Sequence, residues 1–143
     1  MLIHWIWLAT RPDMSDREKA AALAERIGAV AVDNDSIAVE CDYIFLGVKP
    51  QMMQGLLDSL RLLLAARKTP CVLVTMAAGM TMQQIANLVG GGYPVIRIMP
   101  NTPARIGQGV IQYDWNDRCR KADVEEFLSV LGAAGHVSHL PER

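Results

Sequence analysis

The chain has 143 residues, 51% of them hydrophobic and 20% charged, with a formal net charge of −1. One domain's length with that apolar share supports a buried core and excludes a disordered chain, and the near-neutral balance leaves no basic field to attract nucleic acid. The three cysteines, Cys41, Cys71 and Cys119, are far apart and odd in number, which fits reduced cytoplasmic thiols better than a disulfide framework, and no zinc spacing is present.

Met1 to Ala9 is strongly apolar, but it lacks the positive region of a signal peptide and is too short to span a bilayer, so no membrane partner is expected. The content of Ile3, Trp5 and Trp7 and the abrupt turn at Thr10-Arg11-Pro12 predict a buried strand over Ile3–Ala9. Ser15, or Asp13 before it, caps a helix through about Ile27, with Ala20, Leu23, Ala24 and Ile27 at helical spacing and Gly28 as the stop. Ala29–Val32 reads as a short strand, Asp33-Asn34-Asp35 as a turn and Ser36–Glu40 as one helical turn. Tyr43–Val48 is a continuous apolar strand of the kind covered on both faces. Pro50 takes the first position of a helix running to about Ala66, with Met53, Leu56, Leu57, Leu60, Leu63 and Leu64 on one side.

Cys71–Thr75 is the next buried strand, followed by the turn Ala77-Ala78-Gly79. Thr81 caps a short helix that ends at Gly90-Gly91-Gly92, and Val95–Met99 is another strand. Val110–Tyr113 reads as one more. Asp117 begins a helix through about Leu131, with Val124, Phe127, Leu128 and Leu131 inward, and Val137–Leu140 closes as a strand or extended tail. This alternation predicts an α/β fold, a mostly parallel sheet with helices on both faces.

Arg97-Ile98-Met99-Pro100-Asn101-Thr102-Pro103 carries the sharpest signal. Its two prolines fix φ, remove N–H groups and hold their predecessors extended, so Asn101 and Thr102 sit on a stiff loop at a strand end. Val48-Lys49-Pro50 and Ala77-Ala78-Gly79 also follow buried strands, and in a doubly wound sheet such ends line one crevice. The Ala-Ala-Gly turn has almost no side chain, so a flat ring has room to approach the backbone. Each piece has a structural reading too: helix initiation for Pro50, a tight turn for Gly79, a turn former for Asn34. Arg11 follows the first strand, where an arginine suits a 2′-phosphate and points to NADP over NAD; a solvated turn arginine is the other reading. Lys49 is the one ionisable side chain that the crevice offers; an amine held in water along the surface is its equal alternative. No Ser-His-Asp order, carboxylate pair or Cys-His pair stands out, and His136 and His139 fall on opposite faces of a strand, so no metal site is expected.

These residues resemble the N-terminal cofactor-binding domain of pyrroline-5-carboxylate reductase. The matching pieces are Arg11, Asn34, Val48-Lys49-Pro50, Ala77-Ala78-Gly79, and Arg97 to Pro103 followed by Gly107 and Gly109. The resemblance implies a Rossmann-like domain over 1–143 and NAD(P)H-dependent reduction of a cyclic imine to proline. It implies that Arg11 meets the 2′-phosphate and Asn34 the adenosine. Val48 to Pro50 and Met76 to Ala78 would border the ribose and nicotinamide, and Asn101, Thr102 and Pro103 the substrate pocket. The catalytic proton donor is not identified.

The family's pattern also has a first strand and Gly-rich phosphate loop ahead of the segment matched here, and a helical C-terminal dimerisation domain after it. No G-x-G-x-x-G occurs in these 143 residues. The chain is therefore expected to be a partial dinucleotide-binding domain that binds NADPH at best with high-micromolar affinity and turns nothing over alone. A homo-oligomer is expected only of the full-length enzyme. The alternatives are another NADP-dependent reductase of the same superfamily, such as one acting with a deazaflavin, and a non-catalytic Rossmann-like binding module.

Overall fold

The computed structural model describes residues 32–100, 109–132 and 135–142, preceded by 18, 21, 22 and 24–26. That last group is helical, inside the segment read as the first helix, and Ala24 is buried. The strand expected over Ile3–Ala9 lies outside the described residues, as does most of the one over Ala29–Val32; Val32 itself is in irregular backbone.

The described elements are α1 (Asn34–Glu40), β1 (Tyr43–Leu46), α2 (Pro50–Ala65), β2 (Val72–Thr75), α3 (Met82–Leu88), β3 (Val95–Pro100), β4 (Gly109–Trp115), α4 (Lys121–Leu131) and β5 (Gly135–His139). The strands lie in the order β1-β2-β3-β4-β5. Helices α2 and α3 serve as crossovers, so β1, β2 and β3 run parallel. The link from β3 to β4 spans only 101–108, too short for a crossover, and β4 accordingly returns antiparallel. Helix α4 then carries the chain over to β5, parallel to β4. The result is the mostly parallel sheet that the alternation predicts, and it is Rossmann-like, as the resemblance implies.

Both faces are covered. On one, Met53, Leu57, Leu60 and Leu64 of α2 follow helical spacing and pack with Ile37, Ile44, Leu73, Ile85 and Val95. On the other, Val124 and Phe127 of α4 pack on Val72, Val74, Ile96, Ile98 and Ile111. Every residue of β2 is buried, because it lies between β1 and β3 and under helices on both sides. Polar side chains fasten the joints. Arg67 donates to the Ala38 carbonyl at 2.7 Å, tying α1 to the end of α2. The Asn116 side chain accepts from the Val95 N–H at 3.1 Å and donates to the Tyr93 carbonyl at 2.9 Å, closing the start of β3 against the end of β4.

Several boundaries differ from the sequence reading, each for a local reason. The Asp33 carboxylate accepts from the Ser36 N–H at 2.8 Å, so α1 starts at Asn34 and the expected three-residue turn shrinks to its capping residue. Strand β1 stops at Leu46, where its pairing with Thr75 ends. Strand β4 reaches Trp115 because it pairs with β3 as far as Ile96. Asp117 does not begin a helix: residues 117–120 form a turn around Asn116, and α4 starts at Lys121. Gly135 to His139 is a paired strand, not a tail. Among the described residues no helix is long and apolar enough to cross a membrane.

Candidate functional site

Strands β1 and β2 end side by side, Leu46 opposite Thr75, and both chains turn away from the sheet there. Between the two turns lies a cavity of about 320 Å³. Val48, Lys49 and Pro50 line it from one side and Met76, Ala77 and Ala78 from the other, with Leu46 and Gly47 at its base. Six of the residues singled out in the sequence, from two separate loops, thus meet in one place.

The local sequence explains both walls. Pro50 starts α2, and the residue before a proline is held extended: Lys49 has ψ 150 and makes no side-chain capping bond. On the other side, the buried Thr75 hydroxyl accepts from the Ala77 N–H at 3.2 Å, which turns the chain at the strand end. Gly79 adopts φ +79, a conformation that strains any residue with a Cβ. Thr81 and Gln84 then form a capping box that starts α3. Ala77 is buried and Ala78 exposed, so this wall is little more than backbone.

The cavity is apolar and open to solvent, with two alanines on one wall and the exposed Lys49 as its cation. That suits a flat ring and its ribose: the alanines allow close approach, and Met76, Val48 and Pro50 offer apolar surface. It therefore fits the nicotinamide end of a dinucleotide. Asn34 is the first residue of α1 and does not line this cavity. Arg11, Asn101, Thr102 and Pro103 lie outside the described residues, as does Gly107.

A second cavity, of about 270 Å³, contains what the sequence reading missed. Arg97 and Asp114 sit opposite one another on β3 and β4. Arg97 pairs with Glu142 at 2.8 Å. The Asp114 carboxylate accepts from the Glu142 N–H at 2.7 Å and lies 2.9 Å from the His139 ring. The His139 ring also packs against Trp115 at 4.7 Å. One signal was present: a lone arginine in an apolar strand needs a partner. The partner, 45 residues away, had no such mark.

Burial pushes the Asp114 carboxyl up, but bonds from the Glu142 N–H, His139 and the Trp115 N–H outweigh it and hold the group below the usual carboxylate range. A depressed native value stabilises the fold above the unfolded value, and that contribution is lost as pH falls through the native one. Acidification is thus expected to release the Glu142 amide before it disturbs the β1–β3 core, as followed by hydrogen exchange. Simultaneous loss of both would contradict this.

A sequence profile of the family described as NADP oxidoreductase, coenzyme F420-dependent, matches residues 4–79, just over half of the chain. Pyrroline-5-carboxylate reductase of Escherichia coli K12 is 31% identical over 139 residues, which cover 96% of this chain and 49% of that protein. The structure superimposes on pyrroline-5-carboxylate reductase of Coxiella burnetii with a TM-score of 0.78 and 24% identity, over 88% of this chain and 46% of that one. The Plasmodium falciparum pyrroline carboxylate reductase, solved with NADP bound, gives a TM-score of 0.70 and 23% identity over 80% of this chain and 42% of that one. These two likenesses are of fold, and the chain spans about half the length of the relatives it matches. By the profile match the chain belongs to the NADP oxidoreductase, coenzyme F420-dependent family, with the fold of the N-terminal domain of pyrroline-5-carboxylate reductases.

Proposed function

We propose that the cleft at the ends of β1 and β2 holds the nicotinamide and ribose of NADP, in preference to NAD, and that these residues are the cofactor-binding part of a cytoplasmic enzyme that reduces pyrroline-5-carboxylate to proline. The observation that carries the reading is the convergence of Val48–Pro50 and Met76–Ala78 on one apolar cavity. The names of the relatives support the substrate, and the family supports the cofactor.

When bound, NADPH supplies a hydride to the imine carbon while a proton is added at the nitrogen. The chain's own residues position and exclude. Ala77 and Ala78 give the ring a backbone-thin wall, Met76 and Val48 keep water from its face, and Lys49 lies within reach of anionic groups at the mouth. Arg11 is assigned to the 2′-phosphate, Asn34 to the adenosine, and Asn101, Thr102 and Pro103 to the substrate side. A dinucleotide's pyrophosphate is ordinarily held by a Gly-rich turn at a helix N-terminus, and these 143 residues contain no G-x-G-x-x-G. Binding by this chain alone is therefore expected to be no tighter than high-micromolar.

The direct test is NADPH oxidation with pyrroline-5-carboxylate. It is run on this chain and on one joined to a relative's Gly-rich strand-loop-helix and helical C-terminal domain. Turnover in the longer protein only, as a homo-oligomer, is the expected result. A longer protein that binds NADPH but leaves the imine untouched would refute the substrate assignment. The family description itself favours a second reading, exchange of a hydride between NADP and a deazaflavin. Turnover with that acceptor and none with the imine would establish it.

A further inference from the structure

We propose that Glu142 is a positioning residue for the cofactor cleft: its carboxylate joins β3 to the first turn of α3 and thereby sets the Met76–Thr81 wall. The inference rests on the cofactor reading above.

The start of α3 is satisfied from two sources. The capping box takes the N–H groups of Thr81 and Gln84. It leaves that of Met82, one of the donors that a helix start cannot satisfy internally. Glu142, 60 residues further on, supplies the acceptor, at 3.0 Å through Oε1 and 3.2 Å through Oε2. The same Oε1 accepts from the Arg97 guanidinium at 2.8 Å. Arg97 is in register with Thr75, the residue whose hydroxyl turns the chain into the cleft wall. The wall is thus fixed at one end by Thr75 and at the other by the capped start of α3, and Glu142 connects the two ends.

The approach of Glu142 is itself constrained. The Leu140 N–H donates to the Tyr113 carbonyl at 3.0 Å, and the Glu142 N–H donates to Asp114. Residues 140–142 are thereby strapped along β4. Arg97 and Glu142 are 20% and 15% exposed, so the single charge-assisted bond between them is largely shielded from water.

The test compares the native chain with Glu142→Ala, Glu142→Gln and Arg97→Gln, reading NADPH affinity by fluorescence and hydrogen exchange at the Met82 amide. Glu142→Ala is expected to weaken NADPH binding about tenfold, the size of a coupling through a contiguous network, and to expose the Met82 amide. Glu142→Gln keeps an acceptor for Met82, so it should retain most of the protection and most of the affinity. That rescue by the conservative variant is not expected of a merely stabilising salt bridge. If Glu142→Ala does not fold, Arg97→Gln is read instead, with a smaller loss of affinity expected. Native affinity in the variant read would overturn the proposal. Should the native chain bind no NADPH, the cofactor reading falls; the strap is then judged on exchange at Ala77 to Met82, and unchanged exchange in Glu142→Ala overturns it as well.

Discussion

Gly135→Ala is expected to lower stability by about 3 kcal/mol or more, a cost typical of a side chain forced into a backbone collision. Gly135 has φ +147, which L residues rarely adopt, and a Cβ there would collide with the carbonyl oxygen of Gly109. The two glycines face each other in register where β4 and β5 begin. No flexible side chain is available to move aside, so relief requires shifting the strand itself. Because β5 leads into His139 and Glu142, the loss should extend to the network around Asp114. Urea unfolding of the variant should show the lowered midpoint. A change below about 1 kcal/mol would mean that β5 does not pair with β4 in this register.

Ala78→Trp is expected to reduce NADPH affinity by a factor of ten or more, about 1.4 kcal/mol, while leaving the fold intact. Ala78 is exposed and lines the cavity, and a substitution at such a position ordinarily changes stability by only about 0.5 kcal/mol. An indole there would occupy much of the roughly 320 Å³ into which the ring is assigned. Affinity is read by fluorescence titration and folding by the unfolding midpoint. Unchanged affinity in a folded variant would move the ring out of this cleft.

The parts of this molecule that could be read from sequence are those determined by near neighbours. Pro50 marks the start of α2 because its ring permits little else, and Thr81 marks the start of α3 as a capping residue. Tyr43–Leu46, Val72–Thr75 and the start of β3 show as apolar runs because they are buried on both faces. The walls of the cavity follow from these, since both are the residues just past such strands.

What the sequence concealed depends on distant partners or on competition between neighbouring caps and turns. Asp114 looks unlike a strand residue, yet pairing with β3 holds it in β4. Asp117 looks like a helix cap, but the turn around Asn116 postpones α4 to Lys121. Asn34 looks like a turn residue, and Asp33 draws it into α1. Glu142 has no local role at all; its significance appears only when β2, β3 and β4 stand side by side and bring Arg97 and Met82 to one carboxylate.

The most direct measurement is a residue-resolved NMR titration of this chain with NADPH, which reports a site even at high-micromolar affinity. Amide shifts centred on Gly47, Lys49, Ala77 and Ala78 are predicted, saturating together. Shifts centred instead on Arg97, Asp114 and Glu142, or none at saturating NADPH, would contradict the assignment of the cofactor to the cleft between β1 and β2.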